Sequence, residues 1–376
     1  MTVRYHEGKF PPRNLDWERL AAPLAKASDA LARYDSFLSI IPDSGILVSP
    51  MMVQEAVTSS KIEGTRATAS DVLMYEAAGG SSMDPSKRDD VREVVNYRIA
   101  VRTAQRMLAD MPLTGRVLKA AHAELLSGVR GQLKSPGAYR TDQNWIGTTN
   151  DIRDARYIPI SAAKLPEAMA AWERFVNTSG LPSLVKISIA HAEFESIHPF
   201  LDGNGRIGRM MVPLMLCSDG IISYPCFYLS EFFEHRNDEY QDRLLAVSED
   251  DDWTGWCEFF LRAIETQARE NTTKAHLIFE LRESVRRELS ERSKSSSADK
   301  VTDSLFDAAI FPATRVTHID GVAPKTGRRL LGVLRGMGVV VEAVPRSGRS
   351  PAIYVFPRLL EITEGTALAS GSPVSQ

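Results

Sequence analysis

The sequence predicts a mainly α-helical protein that is built from several domains. Apolar residues recur at helical spacing through most of the chain, whereas segments with strand or turn character are short and few. At 376 residues, the chain is long enough for about two or three domains. Its content of 43% hydrophobic and 25% charged residues is typical of a globular protein rather than a disordered one.

The charge and the cysteines exclude several classes of protein. Lys and Arg number 45 against 48 Asp and Glu, and this net charge of −3 predicts no affinity of the whole chain for nucleic acid or an anionic membrane. The three cysteines have no CxxC spacing, which argues against a disulfide framework and a cysteine-rich zinc site. The amino terminus lacks the apolar core of a signal peptide, and the longest nearly apolar run, 210–217, is too short to span a membrane. We therefore expect a cytoplasmic protein without a membrane partner.

Residues 1–110 are predicted to form an N-terminal helical region. Apolar positions at helical period predict helices over 17–38, 50–62, 69–78 and 89–109. Gly64 follows the second of these helices and is a typical helix stop.

Residues 111–269 are predicted to form a second helical domain. The segment 135–159 is rich in Pro, Gly and Thr, which favours turns and a short β-hairpin over a helix. Helical patterns resume after it, over 165–177, 184–197, 207–217, 237–247 and 252–290.

The carboxy-terminal part is predicted to form a small separate domain over 299–362, after a helix and linker over 270–298. A serine-rich tract at 290–300 has the composition of a linker. Beyond it we expect three short helices and then a β-hairpin, an order typical of a winged-helix domain; these segments are 301–311, 314–319, 325–337, 339–344 and 352–356. Residues 363–376 are expected to be disordered.

The stretch IHPFLDGNGRIGR, residues 197–209, carries the strongest chemical signal. Gly203 and Gly205 allow a backbone with positive φ whose N–H groups approach an anion. A helix starting near Arg206 adds its positive end to this cradle. Arg206 and Arg209, three residues apart, can both bind phosphate oxygens.

Two further side chains in this stretch supply a metal ligand and a base. Asp202 can hold a magnesium ion on the same phosphates, and His198 can accept a proton from an attacking hydroxyl. The residues together predict a site for displacement at a nucleotide phosphate.

One alternative is a plain Gly-Asn-Gly turn with solvated arginines. Another is a metal site of His191, Glu195 and His198, but we interpret His191 as a buried, hydrogen-bonded histidine because Pro199 ends the helix.

These residues resemble the signature of the Fic (Fido) family, HPFxxGNGRxxR. Every fixed position of that signature is matched, by His198, Pro199, Phe200, Gly203, Asn204, Gly205, Arg206 and Arg209. The resemblance covers about 112–269. It implies a helical Fic core that transfers AMP from ATP to a Tyr, Ser or Thr hydroxyl of a target protein or of itself.

The resemblance also implies a role for each matched residue. His198 would be the general base and Asp202 the Mg²⁺ ligand. The other ATP-binding residues would be an anion hole and two ligands of the β- and γ-phosphates, which are Gly203, Asn204, Gly205, Arg206 and Arg209. The Doc-like branch carries a lysine where this chain has Gly205, which argues against the kinase-like activity of that branch.

Two further segments fit the same resemblance. The residues Ile146, Gly147, Thr148 and Thr149 resemble the flap that places an extended target segment beside the ATP site by strand pairing. Tyr240 resembles the tyrosine that lines the adenine pocket, the alternative being an ordinary core tyrosine. Val247 stands where a family member has an asparagine that contacts adenine, so the base contact on that side is left open.

The segment SSKIEG, 59–64, resembles the inhibitory motif (S/T)xxxE(G/N) of Fic proteins, with Ser59, Glu63 and Gly64 at its fixed positions. Because the motif precedes the signature, it implies the class II type, with an amino-terminal inhibitory helix. Glu63 would pair with Arg209 where the γ-phosphate must lie and leave the α-phosphate misaligned for attack. The alternative is a solvated residue at a helix end. A further hypothesis is that Glu63 positions a water molecule that removes AMP from a modified protein.

Residues 313–360 carry a local charge of +6. Two acidic residues, Asp320 and Glu342, stand against eight basic ones, which are Arg315, Lys325, Arg328, Arg329, Arg335, Arg346, Arg349 and Arg358. Such a surface can bind DNA phosphates, with 325–335 as the helix offered to a groove. The alternative is a domain for protein contact or homodimerisation whose basic residues are merely solvated.

Three hypotheses for the function follow from the sequence. The first is a protein adenylyltransferase with ATP as substrate, Mg²⁺ as cofactor and a hydroxyl-bearing protein as partner. The second is a transcription regulator whose core only senses a nucleotide and whose carboxy-terminal domain binds DNA. The third is a metal-dependent phosphoester hydrolase that uses the histidines.

Overall fold

The computed structural model describes residues 2–41, 45–80, 83–149 and 151–364. The predicted fold class is confirmed, because helices dominate and strands are short. The helices are α1 (Trp17–Ser39), α2 (Gly45–Ile62), α3 (Ala69–Ala78), α4 (Pro85–Leu108), α5 (Gly115–Leu125), α6 (Leu165–Thr178), α7 (Ser183–Ile197), α8 (Asn204–Ser218), α9 (Ser230–His235), α10 (Asn237–Glu249), α11 (Trp253–Ser293), α12 (Ala298–Phe306), α13 (Thr314–Thr317), α14 (Pro324–Gly336) and α15 (Pro357–Thr363). The strands are β1 (Val3–Arg4), β2 (Tyr157–Ile158), β3 (Ile310–Pro312), β4 (Val341–Val344) and β5 (Ile353–Val355). None of the helices in these ranges combines the length and apolar character that a bilayer span requires.

The chain divides into two compact units, each made of several segments. The first unit comprises Met1–Ser36, Thr58–Thr65 and Val95–Arg269. The second comprises Phe37–Val57, Arg66–Val94 and Glu270–Gln376. The predicted inhibitory motif and the predicted signature both belong to the first unit, although about 140 residues of chain separate them.

The core of the first unit is centred on α7 and α8, which pack against each other. Nearly every residue of α7 is buried, as expected of a helix that is apolar all round. Two tryptophans bind its backbone: the Trp172 indole N–H donates to the Ala190 carbonyl (2.8 Å) and that of Trp256 to the Ser188 carbonyl (2.7 Å). Because both flanking helices are fixed in the core, the loop between them, 198–203, has a fixed position.

Among the described residues of 135–159, the predicted β-hairpin is reduced to one antiparallel bridge between Ile146 and Tyr157. The strand that contains Tyr157, β2, pairs instead in parallel with β1 at the amino terminus. His6 anchors this terminus, because its ring nitrogens lie 2.7 Å from Ser248 Oγ and 2.8 Å from Glu193 Oε2. A two-residue strand is too short for a periodic pattern, so this pairing could not be predicted from the sequence.

The second unit contains a small antiparallel sheet with the strand order β3-β5-β4. Helices α12, α13 and α14 and the β4–β5 hairpin follow the predicted order, and the assignment as a winged helix stays a prediction. The helix predicted over 301–311 is wrong at its end, because Ile310 and Phe311 pair with β5 as strand β3. The connection predicted over 290–300 is shorter than expected and covers 294–297, because α11 continues to Ser293 and α12 starts at Ala298. The predicted disordered tail lies outside the described residues beyond position 364.

Candidate active site

The loop between α7 and α8 presents the predicted signature residues. His198 ends α7 with a left-handed backbone (φ 49°, ψ 62°), and Gly203 precedes α8 with φ 78°. Helix α8 starts at Asn204, two residues before the predicted start. The Asn204 side chain is buried and bonds both backbone groups of Phe200, as an acceptor at 2.8 Å and a donor at 2.9 Å. It therefore fixes the position of the loop.

His122 supports the same loop through hydrogen bonds and ring stacking. Its Nδ1 accepts from the Gly137 N–H (2.9 Å), so Nε2 carries the proton and donates to the Asp202 carbonyl (2.9 Å). Its ring stacks on Phe200 with centroids 3.8 Å apart. Burial lowers the pKa of His122 to about 4, so the ring is neutral at physiological pH and this pattern of hydrogen bonds is stable there.

Arg140, which the sequence analysis did not single out, holds the carboxyl end of α7. Its guanidinium donates to the carbonyls of His198 (3.0 Å) and Asp142 (3.1 Å), and also to the Ile160 carbonyl. Burial lowers the pKa of Arg140 to about 10, which leaves it charged at neutral pH. A cation at this position also complements the negative end of the helix dipole.

We expect Arg140→Met to lower the free energy of unfolding by about 3 kcal/mol, because buried carbonyls lose a charged donor. Urea denaturation measures this difference. Arg153→Met is the matched control, since the Arg153 side chain is 84% exposed, and it should change the stability by less than about 0.5 kcal/mol. Equal effects of the two variants would contradict the assigned role of Arg140.

A cavity of about 370 Å³ lies in front of the loop. It brings together seven of the residues predicted for the site, which are Glu63, Ile146, Gly147, His198, Gly205, Arg209 and Tyr240. Thr148 and Thr149 are exposed and do not line it. Thr149 Oγ1 instead lies 3.2 Å from Asp154 Oδ2, a contact within the same loop. The cavity is also lined by residues that the sequence did not point to, among them Trp145, Arg156, Tyr157 and Gln241.

Glu63 and Arg209 form an ion pair inside this cavity. Arg209 Nη2 lies 2.7 Å from Glu63 Oε1 and also donates to the Ser59 carbonyl (2.8 Å), while Nε donates to Ser59 Oγ (3.0 Å). The Arg209 side chain is 2% exposed and that of Glu63 is 34% exposed. All three residues belong to the first unit. The structure thus contains the predicted pair of Glu63 and Arg209, although the two residues are 146 positions apart in the sequence.

The electrostatics hold both partners of the pair in the charged form. Burial alone would raise the pKa of Glu63, but the charge and hydrogen bond of Arg209 outweigh it and keep that pKa below its usual value. Burial alone would lower the pKa of Arg209, but the negative charge of Glu63 outweighs it and raises that pKa. Gly205 makes room for the pair, since a Cβ there would fall on Glu63 Oε1.

Asp202 and Arg206 lie at the amino-terminal end of α8. Arg206 is 1% exposed and its Nη2 lies 3.1 Å from Asp202 Oδ1, whereas the Asp202 side chain is 32% exposed. Asp202 Oδ2 lies against Gly131, where a Cβ would come within 2.8 Å of it. A single, partly exposed carboxylate beside the predicted phosphate site would fit Mg²⁺, which is usually held by one or two carboxylates together with substrate phosphates and water.

His191 and Tyr240 form a buried hydrogen-bonded pair close to Arg209. His191 Nδ1 lies 3.1 Å from the Gly208 carbonyl, which can only accept, so Nε2 is the acceptor for the Tyr240 hydroxyl at 2.9 Å. Burial lowers the pKa of His191 to about 3. The interpretation of His191 as a buried, hydrogen-bonded histidine is confirmed. The described part of the chain contains no group of three or more His, Cys, Asp or Glu side chains placed to hold a metal.

Glu195 is a lining residue to which the sequence analysis gave no role in nucleotide binding. Burial raises the pKa of its carboxyl to about 8, against the opposing charge of Arg209. Its Oε1 is buried without a hydrogen-bond partner among the described residues. At neutral pH the side chain is therefore a neutral acid on the wall of the cavity.

Solved structures resemble this chain in fold. A Fic family protein of Desulfovibrio desulfuricans G20 matches it with a TM-score of 0.59 and 22% identity, over 92% of this chain and 98% of that one. Fic-1 of C. elegans matches with a TM-score of 0.53 and 16% identity, over 68% of this chain and 72% of that one. At these identities the likeness shows the fold.

Curated relatives share shorter stretches. The protein adenylyltransferase Fic of Drosophila ananassae is 24% identical over 143 residues, which are 37% of this chain and 27% of that protein. A probable protein adenylyltransferase of Aquifex aeolicus is 35% identical over 65 residues, which are 17% of this chain and 20% of that protein. The chain thus spans less than a third of the length of the curated relatives that it matches.

Two family models match consecutive parts of the chain. The model described as Fic/DOC family N-terminal matches residues 21–106, and the model described as Fic/DOC family matches residues 112–216. Together they cover about half of the sequence, and the second includes the whole signature loop. The chain therefore belongs to the Fic/DOC family.

Proposed function

We propose that this protein transfers AMP from ATP to a hydroxyl group of a protein, and that Glu63 inhibits the transfer. One observation carries the proposal: a neutral His198 and a buried Arg209 line the same cavity, at the amino-terminal end of α8. That is the set of groups which an attack on a nucleotide phosphate needs. The relatives named protein adenylyltransferase support the same class of reaction.

His198 acts as the general base in this mechanism. Burial lowers its pKa to about 4, so the ring is neutral and can take the proton of the attacking hydroxyl. The hydroxyl oxygen forms a bond to the α-phosphorus of ATP, and the bond from that phosphorus to the bridging oxygen of the β-phosphate breaks. The new ester carries AMP, and pyrophosphate leaves with the electron pair.

The cations and backbone of α8 stabilise the charge on the leaving pyrophosphate. Arg206 and Arg209 bind its oxygens, and the N–H groups at Gly203–Gly205 approach it at the positive end of the helix. Asp202 would hold Mg²⁺, which when bound neutralises phosphate charge. The apolar and aromatic residues Tyr240, Leu244 and Leu245 line the part of the cavity that we assign to the adenine.

Glu63 inhibits because it pairs with Arg209, one of the side chains that must bind the phosphates. Its carboxylate lies 2.7 Å from Arg209 Nη2, where a phosphate oxygen must bind. ATP that enters beside Glu63 has its terminal phosphates displaced, so the α-phosphate is out of line with the attacking hydroxyl. The removal of AMP with a water positioned by Glu63 stays a hypothesis, and release of AMP from a modified target by wild type but not by Glu63→Gly would support it.

Intact-mass spectrometry of Glu63→Gly after incubation with ATP and Mg²⁺ tests the reaction class. We expect a population of protein, or of an added target, that is heavier by one AMP. A mass gain of one phosphate would instead show phosphoryl transfer. ATP consumption without any covalent product would favour the hydrolase hypothesis. No reaction at all would favour the hypothesis that the protein is a nucleotide-sensing regulator.

The pH dependence of the transfer reports the protonation state of His198. Because burial holds its pKa at about 4, the base is deprotonated above about pH 5.5, and kcat/KM of Glu63→Gly should be flat from there to about pH 7.5. An exposed histidine would give half-maximal activity near pH 6.5. A half-point near that value would contradict the burial of His198 in the working enzyme.

A further inference from the structure

The structure separates the basic residues of the carboxy-terminal part into two groups. Four of the eight have partners within the second unit. Arg315 pairs with Asp307 (3.6 Å), Arg335 with Glu342 (3.3 Å) and Arg358 with Glu361 (2.9 Å), and Arg329 donates to the Ser293 carbonyl (3.1 Å). The other four have exposed side chains without an ion pair or hydrogen bond in the described part of the chain, and these are Lys325, Arg328, Arg346 and Arg349.

These four unpaired cations lie on two elements. Lys325 and Arg328 are on the exposed side of α14, and Arg346 and Arg349 are in the loop that joins β4 to β5. The hairpin lies beside the carboxyl end of α14, because Arg335 pairs with Glu342 of β4 and stacks over the ring of Tyr354 in β5. A helix and an adjacent hairpin loop thus carry a net positive charge that none of the described residues neutralises through an ion pair.

Helix α14 is anchored by its opposite side. Leu330, Leu331 and Leu334 are buried. Gly327 allows α14 to approach α13 closely, since a Cβ there would fall on the Val316 carbonyl oxygen. The close packing fixes the direction of α14 and leaves its basic side facing away from the core of the unit.

The basic side of α14 is also unusually flat. Gly332 and Gly336 follow Arg328 at helical spacing on the same face, and a Cβ at either position would meet no atom within 4 Å. Glycine destabilises an exposed helix relative to alanine, so neither packing nor helix formation explains these two residues. They let another molecule approach the helix backbone closely.

We propose that this surface, formed by Lys325, Arg328, Gly332 and Gly336 of α14 together with the loop Arg346–Arg349, binds duplex DNA. A polyanion is the partner that complements four unpaired cations. A duplex fits the shape, because a single exposed helix enters a major groove about 12 Å wide and a neighbouring hairpin loop can contact the flanking phosphates. The inference does not depend on the adenylyl transfer proposed for the first unit.

Fluorescence anisotropy of the full chain with a labelled duplex of mixed sequence tests this surface. If four cations contact phosphates, the slope of log K against log salt concentration should be about −3 to −4. Between about 50 and 200 mM NaCl the affinity should then fall roughly 10²-fold. Lys325→Gln/Arg328→Gln and Arg346→Gln/Arg349→Gln should each reduce the magnitude of the slope by about 2.

Arg358→Gln is the matched control, because Arg358 is a surface arginine of the same unit that already pairs with Glu361. It should bind the duplex with the wild-type slope. Gly332→Leu is a second probe: its side chain enters open space and removes no charge, yet it should weaken binding by blocking the close approach. Circular dichroism and AMP incorporation should be unchanged in all four variants.

Three results would overturn the proposal. The first is no change of anisotropy with duplex at about 50 mM salt, where phosphate contacts are strongest. The second is wild-type binding by Gly332→Leu or by both double variants. The third is binding to vesicles that contain an anionic lipid without binding to duplex, which would assign the four cations to a membrane surface instead.

Discussion

Glu63→Gly should incorporate AMP into itself or a target at least about 10²-fold faster than the wild-type protein. The substitution removes the carboxylate that lies 2.7 Å from Arg209 Nη2, so that the guanidinium can bind a phosphate oxygen. ATP then binds with its α-phosphate in line with the attacking hydroxyl. The measurement is the initial rate of label transfer from ATP labelled at the α-phosphate.

Two other substitutions separate the loss of the charge from the effect of a new glycine. Glu249→Gly also replaces an exposed glutamate at the end of a helix, α10, and it should leave the rate at the wild-type value. Glu63→Gln should give an intermediate rate, because its amide oxygen can still accept from Arg209 but carries no charge. A wild-type rate for Glu63→Gly would remove the inhibitory role of the pair.

His198→Ala, made in the Glu63→Gly background, should reduce the transfer by about 10²- to 10⁴-fold, the range that a positioned general base contributes. In the double variant the phosphates can still bind Arg206 and Arg209, so the affinity for ATP should be nearly unchanged. Isothermal titration with ATP and Mg²⁺, combined with the rate of label transfer, distinguishes lost chemistry from lost binding.

The contrary outcome would be a double variant that keeps the rate of Glu63→Gly. The proton acceptor would then be another group on the cavity wall, such as Glu195, although that carboxyl is held in its acid form by burial. Asn204→Ala serves as a structural comparison, because its side chain only bonds the backbone of Phe200. It should lower the free energy of unfolding because the loop loses these bonds, whereas the main effect of His198→Ala should be on the rate of transfer.

The sequence predicted most helices because their buried faces repeat at 3.6 residues. Helix α3 was predicted over 69–78 and is observed over those residues, with Thr68 as its N-cap and Gly79 in the left-handed conformation after its end. The predictions failed where tertiary pairing decides. Ile310 and Phe311 form a strand only because β5 lies beside them, and no local pattern distinguishes them from the end of a helix.

The site was predictable to the extent that its residues lie in two short motifs. The pair of Ser59 and Glu63 with Arg209 is found where those motifs placed it. The supporting residues were missed because their function depends on distant contacts. Arg140 bonds a carbonyl 58 positions away, and His122 bonds one 80 positions away. No spacing rule within one sequence reports such contacts.

A paired labelling experiment tests the central claim most directly. Wild-type and Glu63→Gly proteins are incubated in a cell lysate with Mg²⁺ and with ATP that is labelled either at the α- or at the γ-phosphate. We expect α-phosphate label on protein that is strong with Glu63→Gly and weak with wild type, and γ-phosphate label that does not exceed the level in lysate without either protein, which the kinases of the lysate produce. Label from the γ-phosphate above that level, or equal α-phosphate label with both proteins, would contradict an AMP transferase that Glu63 inhibits.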